Sequence, residues 1–212
     1  MSRTDALILD YGEVLSLPQP PDAVARMAET IGAAPDAFAP AYWRHRRAYD
    51  LGLPAGDYWQ RVADDLSIAG PPPAADLIAI DVDSWMSFRE DMWRLAADAR
   101  AAGIRTAVLS NGIREVLARL DAERPLPARF DVVVISFEVG CAKPDPEIFQ
   151  ITLDRLGVAA DRALFVDDRR ENIDAAERLG IETLHFTGAH RLEELKGRLG
   201  TLGRVGHPRQ RQ

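Results

Sequence analysis

The chain has 212 residues, of which 47% are hydrophobic and 28% are charged, with a net charge of −7. This composition is typical of a globular protein with a buried core, and the acidic balance argues against nucleic acid or an anionic membrane as a partner. A single cysteine excludes an internal disulfide framework. No stretch approaches the roughly 18 apolar residues of a membrane span and no secretory leader is recognised, so we expect a cytoplasmic protein.

Short apolar runs bounded by polar residues recur along the chain, and they predict strands of a parallel sheet that is buried on both faces. The five runs are residues 5–10, 104–109, 131–135, 163–166 and 182–186. The later runs are separated by helical patterns at residues 113–123, 146–156 and 171–179. Strands that alternate with helices at this spacing predict right-handed crossover connections.

The connection between the first two strands is about 90 residues long, and its apolar spacing is helical. Four helices are predicted there, marked by Val24, Met27 and Ile31, by Phe38, Tyr42 and Tyr49, by Trp59, Val62 and Leu66, and by Trp85 and Phe88. We therefore predict an α/β fold with a Rossmann-like parallel sheet core of residues 1–15 and 90–200. Residues 16–89 form an α-helical insertion in this prediction, and the polar tail 201–212 is expected to be disordered.

Polar side chains follow four of the predicted strands, at the rim where an open parallel sheet binds its ligands. They are Asp10, then Ser110 and Asn111, then Lys143, and finally Asp167 and Asp168. Carboxylates that converge repel one another unless a cation such as Mg²⁺ binds them through their oxygens. A lysine and a serine opposite the cation suit a doubly charged phosphoryl group, and a carboxylate facing that group can attack phosphorus.

Four segments, in this order, resemble the four motifs of the haloacid dehalogenase superfamily of hydrolases. They are LILDYGEVL, TAVLSN, VGCAKPDPEIF and ALFVDDRRENIDAAERLGI. The first has the Asp-x-Gly-x-Val form, in which Gly12 occupies the place of a second aspartate. The resemblance covers nearly the whole chain, and it implies the family's α/β fold, with residues 16–89 as its helical cap.

Carried over position by position, the resemblance implies a role for each of the polar residues at the rim. Asp10 is then the nucleophile and a metal ligand, and Lys143 orients it and neutralises charge. The remaining Mg²⁺ ligands are the Gly12 carbonyl, Asp167 and Asp168, and the phosphoryl oxygens contact Ser110, Asn111 and Lys143. Asn172, four residues beyond Asp168, braces the site in this hypothesis.

The glycine at position 12 is the one departure from the family's phosphatases. In those enzymes a carboxylate at this position usually protonates the leaving group and later activates water. General acid–base assistance is worth roughly 10²–10⁴-fold, so its absence predicts slow hydrolysis of poor leaving groups. Glu13 is the nearest spare carboxylate.

Three functions are consistent with these residues. The first is a Mg²⁺-dependent phosphatase of a small phosphorylated molecule, possible substrates including sugar phosphates. The second is a 2-haloacid dehalogenase, which needs no metal and expects a non-acidic fourth motif, so the pair Asp167–Asp168 argues against it. The third is a non-catalytic binding protein that retains the fold. The substrate and the oligomeric state stay open.

The helical insertion also carries aromatic and basic side chains. Their spacing predicts that most of the aromatic residues form the core of a small bundle. The basic run Arg44, Arg46 and Arg47 is interpreted as a solvated face, and contact of one of these arginines with an anionic substrate is the alternative.

Overall fold

The computed structural model describes residues 4–200 and contains a five-stranded parallel sheet surrounded by helices. The strands are β1 (Ala6–Leu9), β2 (Arg105–Ser110), β3 (Val132–Ile135), β4 (Ala163–Asp167) and β5 (Glu182–His185). Their order across the sheet is β3-β2-β1-β4-β5, which confirms the predicted α/β fold. The predicted tail 201–212 lies outside the described residues.

Strand β1 lies at the centre of the sheet and is buried along its whole length. Leu7 and Leu9 contribute to the hydrophobic cluster on one face, and Ala6 and Ile8 contribute to the cluster on the other. Successive side chains of a strand point to opposite faces, so burial of both faces requires an uninterrupted apolar run. For the same reason the strand shows no alternation between polar and apolar residues.

Helices fill the connections between the strands. Those between β1 and β2 are α1 (Pro21–Ile31), α2 (Pro35–Arg44), α3 (Arg46–Asp50), α4 (Ala55–Asp65), α5 (Ala74–Ser84) and α6 (Glu90–Ala101). Those that follow β2 are α7 (Arg114–Glu123), α8 (Leu126–Arg129), α9 (Ser136–Val139), α10 (Pro146–Leu156), α11 (Arg170–Arg178) and α12 (Leu192–Gly200). No helix within residues 4–200 is both long enough and apolar enough to cross a membrane.

The helices α1 to α5 pack around an aromatic core. Phe38 and Trp59 stack at a ring-centroid distance of 6.4 Å, and Tyr49 and Tyr58 stack at 4.2 Å. Burial of large aromatic side chains is a major source of stability, because each removes a large apolar area from water. The predicted aromatic core is confirmed for these residues, whereas Trp43 is 48% exposed.

Two details of the predicted insertion are wrong. The helix expected from Phe38 to Tyr49 is broken at His45, so that α2 and α3 are separate helices. The helix expected around Trp85 and Phe88 ends at Ser84 instead, because the chain then turns back to pair with the segment after β1. Phe88 forms a β-bridge with Ser16 there. The division at residues 16–89 into a cap and a core stays a prediction.

Candidate active site

Three neighbouring strands bring polar side chains to the carboxyl edge of the sheet. Asp10 follows β1, Ser110 ends β2 and Asp167 ends β4, and β1 lies between the other two strands. The backbone N–H of Asp10 donates to the Val166 carbonyl at 3.0 Å, which continues the pairing of β1 with β4 up to the site. These residues adjoin a cavity of about 310 Å³, which Asp10 and Ser110 line.

The carboxylates of Asp10, Asp167 and Asp168 converge, each with an oxygen within 4.8 Å of the other two. Lys143 lies between two of them, with its Nζ 2.8 Å from Asp10 Oδ1 and 2.7 Å from Asp167 Oδ2. The third hydrogen bond of this ammonium goes to the Leu109 carbonyl at 2.9 Å. An ammonium has three protons to donate, so all three are used and the side chain is fixed in place.

Asp167 is held on both of its oxygens. While Oδ2 receives the lysine, Oδ1 accepts hydrogen bonds from the Arg169 backbone N–H at 2.8 Å and from Asn172 Nδ2 at 2.9 Å. The side chain of Asp167 is completely buried, and Asn172 is buried beside it. Asn172 was expected to brace the site, and its hydrogen bond to Asp167 is a contact that can do so, because it positions the Asp167 carboxylate.

Burial and mutual repulsion change the pKa values of this group. Burial raises the pKa of Asp10 to about 7; Lys143 opposes the rise, whereas Asp167 and Asp168 add to it. Burial, Asp167 and Glu13 likewise raise the pKa of Asp168 to about 6. Burial disfavours the charged form of Lys143, but Asp10 and Asp167 outweigh it and hold the pKa of the lysine above its usual range. The carboxylates thus carry more negative charge than one lysine neutralises.

Asn111 holds the loop that carries Lys143. Its Nδ2 donates to the Lys143 carbonyl at 2.9 Å, and its Oδ1 accepts from the Lys143 backbone N–H at 2.8 Å. Both ends of the amide are therefore used for positioning, and the predicted contact of Asn111 with phosphoryl oxygens stays a prediction. Ser110 Oγ is 3.4 Å from the Asn111 carbonyl and lines the cavity.

The turn after β1, Tyr11–Leu15, forms one wall of the cavity. Asp10 Oδ1 accepts a hydrogen bond from the Tyr11 backbone N–H at 2.7 Å, and Oδ2 has no hydrogen-bond partner within residues 4–200. Gly12 has φ −61° and ψ 130°, a conformation open to any residue, and a Cβ at this position would lie 3.6 Å from the Trp85 ring. Glu13 lines the cavity with a left-handed backbone, φ 56°.

The sequence interpretation missed the opposite wall, which comes from the helical insertion. Trp43, Arg46, Asp50 and Trp85 line the cavity there. Arg46 was interpreted as part of a solvated face, and this is wrong, because only 9% of the residue is exposed. Tyr42, Arg46 and Tyr49 recur at helical spacing, and this periodicity is the signal that places Arg46 on the inner face.

The insertion contacts the rest of the chain close to the site. The Ser136 hydroxyl donates to the backbone carbonyl of Asp50 and accepts from the Gly112 backbone N–H at 3.1 Å. Arg47 pairs with Asp145 at 2.7 Å, next to the loop of Lys143. The cavity wall formed by α3 is therefore held against the segments that follow β2 and β3.

The residues at the rim fit a hard divalent cation. Carboxylate oxygens are the ligands that Mg²⁺ prefers, and the three carboxylates carry negative charge that Lys143 does not neutralise. Asn172 adds an independent observation, because its Oδ1 is buried without a hydrogen-bond partner among the described residues although the residue lines the cavity. Water bound to a cation would donate to such an acceptor.

A parallel sheet with an acidic, lysine-bearing rim and a helical insertion after its first strand places the chain among the α/β enzymes. A family model, haloacid dehalogenase-like hydrolase, matches residues 6–180. The chain belongs to this family of hydrolases, as its four motifs suggested.

Known relatives include proteins with different activities. The chain is 27% identical over 206 residues to (S)-2-haloacid dehalogenase 1 of Pseudomonas sp. (strain CBS-3), a match that covers 92% of this chain and 89% of the relative. It is 34% identical over 89 residues to phosphoserine phosphatase of Thermus thermophilus, covering 42% of this chain and 36% of that one. These relatives leave the substrate class open.

A third relative is much longer than this chain. Acyl-CoA dehydrogenase family member 10 of Mus musculus is 38% identical over 122 residues, which are 57% of this chain and 11% of the mouse protein. The match therefore spans about a tenth of the mouse protein.

The fold is also shared with solved structures. A HAD family enzyme of Bacteroides thetaiotaomicron, in complex with magnesium and inorganic phosphate, superposes with a TM-score of 0.69 at 17% identity. The superposition covers 85% of this chain and 93% of that enzyme. At this identity the likeness shows the fold alone.

Proposed function

We propose that the protein is a Mg²⁺-dependent phosphatase of small phosphomonoesters, with Asp10 as the nucleophile. The observation that carries this proposal is the convergence of Asp10, Asp167 and Asp168, each with an oxygen within 4.8 Å of the others, around one fixed lysine. A dianionic phosphoryl group approaching three carboxylates is repelled unless a cation neutralises them. The predicted ligands of that cation are Asp10, the Gly12 carbonyl, Asp167 and Asp168, and when bound it would stabilise negative charge on the phosphoryl oxygens.

The two oxygens of Asp10 have different surroundings. Oδ1 is held by Lys143 and by the Tyr11 backbone N–H, whereas Oδ2 is left for the cavity. In the proposed reaction Oδ2 attacks phosphorus and the bond from phosphorus to the leaving oxygen breaks, which gives an aspartyl-phosphate and an alcohol that takes a proton from water. Water then attacks phosphorus, inorganic phosphate leaves, and the Asp10 carboxylate is restored.

Lys143 and Ser110 complete the phosphate site in this proposal. The lysine keeps Asp10 oriented and offsets part of the negative charge, and Asn111 fixes the lysine's backbone. The serine hydroxyl lines the same cavity and donates to a phosphoryl oxygen. Residues 16–89 act as a cap over this site, and the flanking segments act as the catalytic core.

A dehalogenase is the second candidate, because the Pseudomonas relative aligns with nearly the whole chain. In that reaction the same aspartate attacks carbon and no metal is needed. The acidic pair Asp167–Asp168 favours the phosphatase, since a second carboxylate beside Asp167 adds repulsion that a bound cation would relieve.

The test is hydrolysis of p-nitrophenyl phosphate by purified protein, with Mg²⁺ and with a chelator, alongside chloride release from 2-chloropropionate. We expect Mg²⁺-dependent release of nitrophenol that is abolished in Asp10→Asn, and no chloride. Asp22→Asn, which changes an exposed aspartate on α1, is the matched control and retains activity. Chloride release without metal would establish the dehalogenase, and the absence of both products would favour a binding protein.

A further inference from the structure

The wall of the cavity opposite the carboxylates is built around two charged side chains of α3. Arg46 and Asp50 lie four residues apart on one face of this helix, and both line the cavity. Their side chains are only 10% and 12% exposed, so each is held in place by its surroundings. Neither residue has a part in the proposed chemistry, which takes place at the carboxyl edge of the sheet.

Most of the hydrogen-bonding groups of this pair are used inside the protein. Arg46 Nε donates to Asp50 Oδ1 at 3.2 Å, and Nη1 donates to the Tyr42 hydroxyl at 2.6 Å and to Asp81 Oδ2 at 3.0 Å. Arg46 Nη2 and Asp50 Oδ2 have no hydrogen-bond partner within residues 4–200, and neither is among the fully buried unpaired atoms. A donor and an acceptor that solvent reaches therefore belong to the same ion pair in the cavity wall.

The charge of this wall does not suit an anion. Arg46 is paired with two carboxylates, Asp50 and Asp81, so the cluster carries a net charge of about −1 when all three are ionised. The other arginine in the lining, Arg169, is paired with Glu171 at 2.7 Å, and its charge also acts on Asp50. A leaving group with its own carboxylate or second phosphate would be repelled by the α3 wall, whereas a neutral hydroxyl can both accept from Arg46 and donate to Asp50.

Two indoles flank the pair. Trp43 and Trp85 line the same wall, and Trp43 is 48% exposed although most large aromatic side chains of the insertion are buried. An exposed aromatic face beside paired donors and acceptors is complementary to a ring with polar edges and an apolar face.

We propose that Arg46 Nη2 and Asp50 Oδ2 bind hydroxyl groups of a neutral, polyhydroxylated leaving group, with Trp43 packing against its apolar face. The substrate class is then a sugar or polyol monophosphate, and Arg46, Asp50 and Trp43 determine specificity. This inference rests on the proposed phosphatase function, because it concerns the part of the substrate beyond the phosphoryl group.

The test compares binding of two probes, inorganic phosphate and hexose or pentose monophosphates, by titration calorimetry in MgCl₂ with Asp10→Asn protein, which does not turn the esters over. Inorganic phosphate reaches only the carboxylate end, so the ratio of the two dissociation constants reports on the α3 wall. Adding Asp50→Asn is expected to weaken the best sugar phosphate about tenfold relative to phosphate, since a hydrogen bond to a charged group is lost. Asp65→Asn, which changes a surface aspartate of α4 outside the lining, is the control.

Two further measurements distinguish failure of the inference from misfolding of a variant and from failure of the proposed function. Trp43→Ala alters an exposed side chain and is expected to weaken sugar phosphates several-fold relative to phosphate. In the active protein, phosphoglycolate, whose leaving alcohol carries a carboxylate, is expected to be at least tenfold poorer than the best sugar phosphate. A ratio that changes less than twofold in both Asp50→Asn and Trp43→Ala, or a preference for phosphoglycolate, would overturn the inference. If the wild type hydrolyses phosphate esters but the ratios of dissociation constants do not change in the variants, the phosphatase function is supported and the inference is wrong. If sugar phosphate binding depends on Asp50 but no ester is hydrolysed, the inference is supported and the phosphatase function is wrong.

Discussion

Lys143 is the residue on which the arrangement of the site depends most directly. It is one of two lysines in the chain, and its ammonium contacts Asp10, Asp167 and the Leu109 carbonyl while its side chain is 1% exposed. From sequence, a lysine in a loop after β3 is expected to tolerate truncation without much effect on folding. The structure argues against this expectation, because removal of the lysine leaves two buried carboxylates without their cation.

We predict that Lys143→Met lowers turnover of p-nitrophenyl phosphate at least 100-fold, since it removes the group that orients Asp10 and offsets its charge. In metal-free protein the same change is expected to lower the free energy of unfolding by about 3–5 kcal/mol, as is usual when one partner of a buried ion pair is removed. Steady-state kinetics and urea unfolding measure the two effects.

The chain supplies a matched control for this change in its other lysine. Lys196 lies on α12 with its side chain 48% exposed, and it pairs only with Glu193. Lys196→Met is expected to leave turnover unchanged and to alter stability by less than about 1 kcal/mol. Activity of Lys143→Met within threefold of the wild type would show that the lysine has no catalytic role.

Among the elements, the turn after β1 is the one that we expect to control protonation of the leaving group in the proposed reaction. Its position 12 is a glycine whose backbone does not require one, and the Trp85 ring adjoins the space that a side chain would enter. No carboxylate therefore extends from this position toward the leaving oxygen. In the proposed phosphatase reaction, the rate is then expected to depend on how well the leaving group carries negative charge on its own.

We predict that the kcat of the wild type falls steeply as the pKa of the leaving alcohol rises across a series of aryl and alkyl phosphates. Gly12→Asp is expected to flatten this dependence, and to raise the rate with alkyl esters by about 10²-fold or more if the carboxyl reaches the leaving oxygen. A Cβ at 3.6 Å from Trp85 is an ordinary contact, so the variant is expected to fold. Gly12→Asn is the matched control, since it has the same shape without an acid.

If the kcat of the wild type does not change with the pKa of the leaving alcohol, the proposed effect of Gly12 is wrong. Such a result would mean that another acid already protonates the leaving group, and Glu13, which lines the same cavity, is the first residue to replace.

The same elements show which parts of the site the sequence predicts. The carboxyl ends of parallel strands meet at one edge, so the order of the motifs was enough to predict that Asp10, Ser110 and Asp167 lie close together. The α3 wall was not predicted, because Arg46 is paired in the interior with Asp81 from α5, far away along the chain. The spacing of Arg46 from Tyr42 and Tyr49 places it on the inner face, but this spacing gives no sign of its distant partner, Asp81.

At the scale of the whole molecule, the acidic rim makes folding depend on pH. The pKa of Asp168 is raised to about 6 by burial, Asp167 and Glu13, and that of Asp10 to about 7, whereas in the unfolded chain both groups have pKa values near 3.8. Between these values the folded protein binds more protons than the unfolded chain, so the contribution of both groups to the free energy of unfolding decreases as the pH rises from about 4 to about 7. Lys143 opposes this effect, and a bound cation would remove it.

We predict that Asp168→Asn stabilises the metal-free protein at pH 8 by about 1 kcal/mol more than it does at pH 5, because the amide does not titrate and the partly exposed aspartate is screened by solvent. Urea unfolding in a chelator measures this difference. Mg²⁺ at a hundred times its dissociation constant is expected to stabilise the wild type by about 2.7 kcal/mol, and to stabilise Asp168→Asn much less. Equal responses of the two proteins to Mg²⁺ would show that Asp168 is not a ligand.

The overall fold was predictable because its strands are buried on both faces, which leaves uninterrupted apolar runs such as ALIL in β1. The helix boundaries within the insertion were less predictable. The apolar spacing of Trp85 and Phe88 predicts a helix. In the structure this stretch lies beyond the end of α5, because its backbone forms hydrogen bonds with the segment after β1. Such pairing between distant segments is not encoded in local periodicity.

The contact between Ser136 and α3 affects how this protein can diversify. Its acceptor is the main-chain carbonyl of Asp50, which every amino acid at that position supplies. Under the proposal made above, substitution of Asp50 is therefore expected to change ligand preference while the hydrogen bond between α3 and Ser136 persists. In the proposed role of Asp50, ligand preference depends on side-chain oxygen Oδ2 and the attachment of α3 depends on the main-chain oxygen, so different atoms of one residue meet the two requirements.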